Sequence, residues 1–288
     1  MTDFLVIGKD GQLGDALVKN LLSRKIKFKA YSRKELDVSD HKTLERIIRK
    51  TKPKVILNTS AYHVIGKCEK NPLKAMNINC ISVGSLARLS KEAGALFVTY
   101  STNYVFDGEQ ASPYLENDMP NPLQIYGLSK YAGEINSLNE YSQGTYVIRT
   151  CGIYGRGRKG SRSKKGNFVL RILNESKNEK VIKASNQQIV SPTYAGDLAE
   201  SSINLVNLKP KPGIYHLVNE GGMSWYDFTK QIIKYKKLTS KVVPLSEEEE
   251  NAGYRRPTYS VLKNIKAKKL GISLPDINSG LVRYLNEI

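Results

Sequence analysis

The chain opens with an apolar run, Phe4-Leu5-Val6-Ile7, then a turn punctuated by glycines, then Ala16, Leu17, Leu21 and Leu22 at helical spacing. An uninterrupted apolar run followed by 3.6-residue periodicity predicts a buried strand, a tight turn and a helix. The alternation then repeats. Residues 27–31 predict a second strand, 41–51 a helix that stops before Pro53, and 55–57 a third strand. Leu73, Ala75, Ile78, Leu86 and Leu89 mark a helix over 72–92, and residues 96–100 a fourth strand. After a turn-rich loop from Pro113 to Pro122, a helix carries Tyr126 and Lys130 through to Ile135, and 145–148 form a strand. Strands alternating with helices in this way call for a parallel sheet covered on both faces.

Beyond residue 150 the alternation fades. Helices are expected over 168–173, 197–206 and 225–235, and strands over 181–182, 189–190 and 214–218. The run Glu247–Glu250 reads as a solvated helix start, and there is neither an internal repeat nor a low-complexity linker. The expected fold is therefore α/β. A doubly wound parallel sheet spans 1–154, with 187–208 packing back on it. A smaller α+β lobe, from 155–186 and 209–288, covers the ligand edge.

Composition narrows this picture a little. A chain of 288 residues is one large or two modest domains, with a real core. No run of about 18 apolar residues exists, so no spanning helix is expected. Met1-Thr2-Asp3 leads straight into the first strand without a basic leader, which argues against a signal peptide and for a cytoplasmic protein. Cys68, Cys80 and Cys151 are scattered and odd in number, as in a reducing compartment. His41, His63 and His216 are too dispersed to propose a metal site. The net charge of +18 invites a polyanionic partner, but lysine is spread along the whole chain and no nucleic-acid motif accompanies it. A nucleotide-sized anion is served by such a field, and so is plain solvation of lysine-rich faces.

Candidate chemistry sits at the strand ends. Gly8, Gly11 and Gly14 follow the first strand. This spacing permits a sharp turn, backbone approach to a pyrophosphate at the helix N-terminus, and close helix–strand packing. It makes the sheet Rossmann-type. After the second strand stand Ser32-Arg33-Lys34, where an acid would bind the ribose 2′-hydroxyl of NAD(H). Arg33 would instead pair the 2′-phosphate of NADP(H), the favoured cofactor, unless it is simply solvated. Residues 58–62 and 101–108 leave the third and fourth strands at the edge where open parallel sheets bind ligands. A hydroxyl there would hold a carbonyl oxygen or satisfy a turn. Tyr126 and Lys130 lie four apart on one helix face. An ammonium beside a phenol of pKa near 10 would draw it toward the working range, making a proton donor for a carbonyl under reduction. The strongly basic loop from Arg156 to Gly166 would clamp a diphosphate or stand as a surface insertion.

Together, Gly8–Gly14, Ser101–Gly108 and Tyr126-Gly-Leu-Ser-Lys130 with Gly133-Glu134 resemble the extended short-chain dehydrogenase/reductases. Within them the chain resembles the dTDP-4-dehydrorhamnose reductases, through Gly11-Gln12-Leu13-Gly14, Asp37-Val38, Tyr104–Gly108, Ile148-Arg149-Thr150, Ser191-Pro192-Thr193, Asp197-Leu198-Ala199 and Gly213–Leu217. The resemblance implies reduction of the 4-keto group of a nucleotide-linked 6-deoxysugar with NAD(P)H, and it allows a homodimer. It implies Thr102, Tyr126 and Lys130 as the catalytic set. Gly11, Gln12 and Leu13 would meet the pyrophosphate, and Asp37 and Val38 would flank the adenine. Ser60, Ala61, Tyr62 and Tyr100 would line the cofactor channel. Asn103, Tyr104 and Gly152 would face the substrate beside Thr102. The departures fall on that side: Asn103 stands in place of the family's Asp, Gly152 in place of its Trp, and Gly66 in place of an acid. Loss of the indole is expected to enlarge the pocket. A rival resemblance, to the regulatory β subunit of methionine adenosyltransferase, shares the Asn and implies NADP binding with a partner protein and no sugar turnover.

Overall fold

The computed structural model describes residues 2–157, 167–251 and 253–288. The first half runs β1 (Thr2–Ile7), α1 (Gln12–Ser23), β2 (Phe28–Tyr31), α2 (His41–Thr51) and β3 (Pro53–Asn58). Next come α3 (Ile65–Lys70), α4 (Pro72–Met76), a π-helical turn (Asn77–Ile81) and α5 (Ser82–Glu92). Then follow β4 (Leu96–Thr102), α6 (Ile125–Glu140) and β5 (Thr145–Thr150). These strands form a parallel sheet in the order β5-β4-β3-β1-β2.

The continuous apolar runs are explained by burial on both faces. Along β1, Phe4 and Val6 pack with Leu13, Leu17 and Leu21 of α1. Their neighbours Leu5 and Ile7 pack with Leu44, Ile47 and Ile48 of α2 and with Val83 and Leu86 of α5. Each fully buried Leu or Ile contributes roughly 1.5–3 kcal/mol of transfer free energy. A one-residue slip in register would exchange the two sets and bury nothing new.

The second half continues through β6 (Ile153–Tyr154), α7 (Phe168–Glu175), β7 (Val181–Ala184), β8 (Ile189–Val190), β9 (Thr193–Tyr194) and α8 (Ala195–Leu208). It closes with β10 (Gly213–His216), β11 (Met223–Ser224), α9 (Trp225–Tyr235), β12 (Lys241–Pro244), α10 (Glu247–Asn251), α11 (Ile265–Lys269) and α12 (Ile277–Glu287). Three two-stranded pairs, β6–β9, β8–β11 and β7–β12, lie here, with a separate core of Tyr154, Val169, Ile172, Phe228, Ile232 and Tyr284. No helix among the described residues is long and apolar enough to cross a membrane.

Two expectations need correction, and one element was not foreseen. Strand 214–218 was expected in the smaller lobe, but β10 pairs in parallel with β5 as the sixth strand of the main sheet. Its apolar run is buried against β5, and a run of that length does not say which sheet it joins. The helix over 72–92 contains a π-helical turn at Asn77–Ile81. That wider turn accompanies Asn79, whose Nδ2 donates to Tyr62 O (2.9 Å) and Ser129 Oγ (3.0 Å) while its Oδ1 accepts Tyr62 N–H (2.8 Å). Helix α3 was not foreseen, since six residues carry too little periodicity. The basic loop keeps only Arg156 and Gly157 within the described residues; 158–166 lie outside them.

Helix α6 is fastened to the sheet by a buried ion pair. Glu134 Oε2 accepts from Arg149 Nη2 of β5 at 2.7 Å, and Oε1 from its Nε at 3.0 Å, with both side chains almost wholly buried. Removing one partner of such a pair strands a charge in low dielectric. Glu134→Ala is therefore expected to cost about 3–5 kcal/mol, read as a lowered urea midpoint at unchanged m-value. A midpoint within error of the parent would show that the pair does not hold α6.

Candidate active site

All six strands of the main sheet run the same way, so their C-terminal ends meet at one edge, and a cleft of about 460 Å³ opens there. Its floor is the β1–α1 turn. Gly8 turns at φ +92°, and a Cβ on Gly14 would stand 2.1 Å from Gly8 O, so the turn closes only with a bare Cα there. Gly11 caps α1 without a side-chain hydrogen bond, leaving the first-turn N–H groups to face an anion. Gln12 Oε1 is buried there without a partner among the described residues. An uncapped helix start, an orphaned acceptor and a turn too tight for a side chain fit the pyrophosphate of a dinucleotide.

The walls bring together most of the residues expected from the sequence. Gly8, Gly11, Gln12, Leu13, Gly14, Arg33, Asp37, Val38, Ser60, Ala61, Tyr100, Thr102, Asn103, Tyr104, Tyr126, Lys130 and Gly152 all line this one cleft. Two do not. Ser32 is buried, and its N–H donates to Glu35 Oε2 at 2.7 Å. Tyr62 turns toward the core beneath α5, with Lys74 5.7 Å above its ring. Arg33 is half-exposed and rests against Asp37 at 3.5 Å. The lining also includes Thr59 and Ser101, from the runs expected at the ligand edge, and Leu36, His63, Ile65 and Cys151, which sequence reasoning passed over. Their place beside strand ends was legible; the direction of their side chains was not.

Tyr126 is held by the start of α6. Gln124 Oε1 accepts from Gly127 N–H (3.3 Å), and Glu69 Oε1 of α3 accepts from Ile125 N–H (2.8 Å). A Cβ on Gly127 would lie 2.0 Å from Tyr104 O, so helix and strand exit touch directly. The Tyr126 ring meets Tyr104 edge to face at 5.9 Å. Lys130, one turn on, is buried; desolvation lowers its pKa to about 8, against an opposing pull from Glu134. Tyr126 departs from expectation. Desolvation raises its phenol well above the ordinary value, a contact with Thr102 draws it partly back, and the pull expected from Lys130 does not prevail. The phenol thus stays protonated, as a proton donor must. Crowding by the cleft walls lowers the pKa of His63, and the Lys130 charge adds to this.

The substrate side also differs. Gly152 sits at φ +51°, and a Cβ there would fall 2.9 Å from Cη2 of Trp225. The indole of Trp225, tilted against Phe168 at 4.4 Å, occupies the space beside Gly152 where an enlargement was expected. The Asn103 carboxamide, expected to face substrate, is engaged instead by Thr102 and Ser260.

A glycine-lined cleft for a dinucleotide, opening onto a phenol and a buried ammonium, is the arrangement of an NAD(P)-dependent oxidoreductase of the extended short-chain dehydrogenase/reductase type. The family model for the RmlD substrate binding domain matches residues 1–288, and the chain belongs to that family. It is similar to the spore coat polysaccharide biosynthesis protein SpsK of Bacillus subtilis, 34% identical over 287 residues, covering 100% of this chain and 98% of the relative. It is similar to the dTDP-4-dehydrorhamnose reductase of Escherichia coli, 33% identical over 303 residues, covering 99% of this chain and 98% of that one. Among solved structures, the Bacillus anthracis dTDP-4-dehydrorhamnose reductase in complex with NADP superposes with a TM-score of 0.93 at 31% identity over 100% of both chains. The chain is thus a sugar-nucleotide reductase of the dTDP-4-dehydrorhamnose reductase type.

The glycine turn separates two roles that one assay distinguishes. Gly14→Ala drives a methyl into Gly8 O and is expected to lower stability and abolish nicotinamide-nucleotide binding together. Gly11→Ala, whose Cβ meets only Gly8 O at 3.4 Å, should fold normally and lose affinity alone. Calorimetric titration with NADPH beside thermal unfolding reads both; equal behaviour of the two variants would contradict this division.

Proposed function

We propose that the protein reduces the 4-keto group of a nucleotide-linked 6-deoxysugar, such as dTDP-4-dehydrorhamnose, with NADPH in preference to NADH. The observation that carries this reading is the meeting of Thr102, Tyr126 and Lys130 in the cleft that the β1–α1 turn floors. Cofactor preference is supported by Arg33 on the cleft wall. Glu35, the carboxylate near the end of β2, turns back to Lys9 at 2.7 Å and to the Ser32 N–H, away from a ribose 2′-hydroxyl.

When bound, the nicotinamide cofactor supplies the hydride. The chain's own groups handle the oxygen. Thr102, buried at the end of β4, donates to the carbonyl oxygen and fixes its position. Tyr126 delivers its phenolic proton to that oxygen as negative charge builds. Its raised pKa still lies below that of an alkoxide, so transfer runs downhill. Lys130, on the helix that the Glu134–Arg149 pair fastens to the sheet, would hold the nicotinamide ribose of a bound cofactor.

Tyr126→Phe removes only the proton donor. It is expected to lower kcat at least about 100-fold with NADPH affinity nearly unchanged, measured by absorbance at 340 nm with dTDP-4-dehydrorhamnose and related sugars. A variant that keeps most of the parent rate would remove Tyr126 from the mechanism. Absence of turnover by the parent with every sugar, alongside tight NADPH binding, would point to the regulatory alternative.

The pH dependence follows from Lys130. Its value in the folded protein, about 8, lies below the ordinary lysine value, so the cationic form is lost early as pH rises. The ratio kcat/KM reports the free enzyme and is expected to fall as pH rises through about 8. Lys130→Met should give a low rate without this step. A parent profile flat to pH 10 would separate Lys130 from the reaction.

A further inference from the structure

The segment Tyr254–Leu262 is a strap from the C-terminal half laid across the exit of β4. Thr258 Oγ1 donates to Gly108 O (3.1 Å), Gln124 Nε2 to Arg255 O (3.4 Å), and Tyr114 N–H to Val261 O (2.8 Å). Ser260, fully buried, is pinned by its own N–H on Ile189 O at 2.9 Å. Its hydroxyl accepts from Asn103 Nδ2 at 2.8 Å. With the amide nitrogen so engaged, Asn103 turns its oxygen to Thr102, whose hydroxyl donates to Oδ1 at 3.3 Å and accepts from Tyr104 N–H at 3.2 Å. All three side chains are buried, and this chain of bonds ends on the hydroxyl that faces Tyr126.

We infer that Asn103 and Ser260 are positioning residues that set the hydroxyl of Thr102 for the carbonyl, and that the strap thereby couples the C-terminal half to the reacting group. This rests on the reading of Thr102 given above. A free hydroxyl rotor samples three staggered positions. Here one lone pair is taken by Tyr104 N–H, and the proton is parked on Asn103. The 3.3 Å bond to Asn103 is long for an O–H donor, so it is weak. Turning the proton from Asn103 to an arriving carbonyl oxygen therefore costs little, while Oγ1 itself stays where the Tyr104 bond holds it. Ser260 decides which end of the carboxamide meets Thr102. Without it the amide is free to flip and to present N–H groups that compete for the lone pair facing Tyr126.

The test compares Ser260→Ala, Asn103→Leu and Asn103→Asp with the parent enzyme, using NADPH and the sugar nucleotide that the parent turns over. Loss of alignment is expected to lower kcat about 10- to 100-fold in the first two variants. KM for sugar and cofactor should stay within about threefold, since bound contacts are untouched. Asn103→Asp offers carboxylate oxygens to both hydroxyls and is expected to restore most of kcat, which repair of packing alone would not do. In 15N-labelled parent protein the Asn103 side-chain amide protons should exchange slowly, and in Ser260→Ala quickly. Parent-level kcat in Ser260→Ala, failure of the Asp variant to recover, or rapid exchange in the parent would each overturn the inference. A parent without turnover on any sugar nucleotide would instead defeat the proposed reaction, and the exchange measurement would still decide the geometry.

Discussion

Parallel strands oblige a chain to leave every strand at the same edge. In this protein six exits meet there: β1 and β3 bring the nucleotide cradle, β4 brings Thr102, and β5 leads to Cys151 and Gly152. The chain turns to opposite sides after β1, toward β2, and after β3, toward β4, so the exits of β1 and β3 separate and leave a crevice. The rest of the architecture holds these exits in register. Both faces of the sheet are covered, and the apolar alternation of β1 divides its side chains between two cores.

Helix α6 is the second constraint, since it brings Tyr126 and Lys130 to that edge. Its attachment is electrostatic as well as apolar. Glu134 and Arg149 pair in the core through Nε and Nη2, and the carboxylate also opposes the desolvation of Lys130. The buried face of α6 thus carries Lys130 and Glu134, with the latter against Arg149 of β5. Arg149 in turn has its guanidinium 5.1 Å from the Phe106 ring. A phenol in this setting is kept protonated by desolvation, which suits a donor to an alkoxide.

On the substrate side, the second half of the chain completes what the first half leaves open. Trp225 of α9 lies where a side chain on Gly152 would stand, and the strap from Tyr254 to Leu262 reaches Gly108, Gln124 and Asn103. Positions 103 and 152 of this chain therefore belong to pairs of residues drawn from distant parts of the sequence. A change at one member is absorbed or amplified by the other.

Much of this was legible in the amino-acid sequence, because it depends on local rules. Periodicity marked the strands and the longer helices of the first half, the glycine spacing marked the turn, and the four-residue step from Tyr126 to Lys130 marked one helix face. These features are set by backbone sterics and by neighbours within a few positions. Tertiary structure alone decided the rest: β10 joining the main sheet, Tyr62 and Ser32 lying off the cleft, Trp225 filling the space beside Gly152, and the direction in which Tyr126 titrates. Ser32 apart, which is held by Glu35 three positions on, each depends on packing between residues distant in sequence, and on the loss of water that such packing brings, which no local pattern encodes.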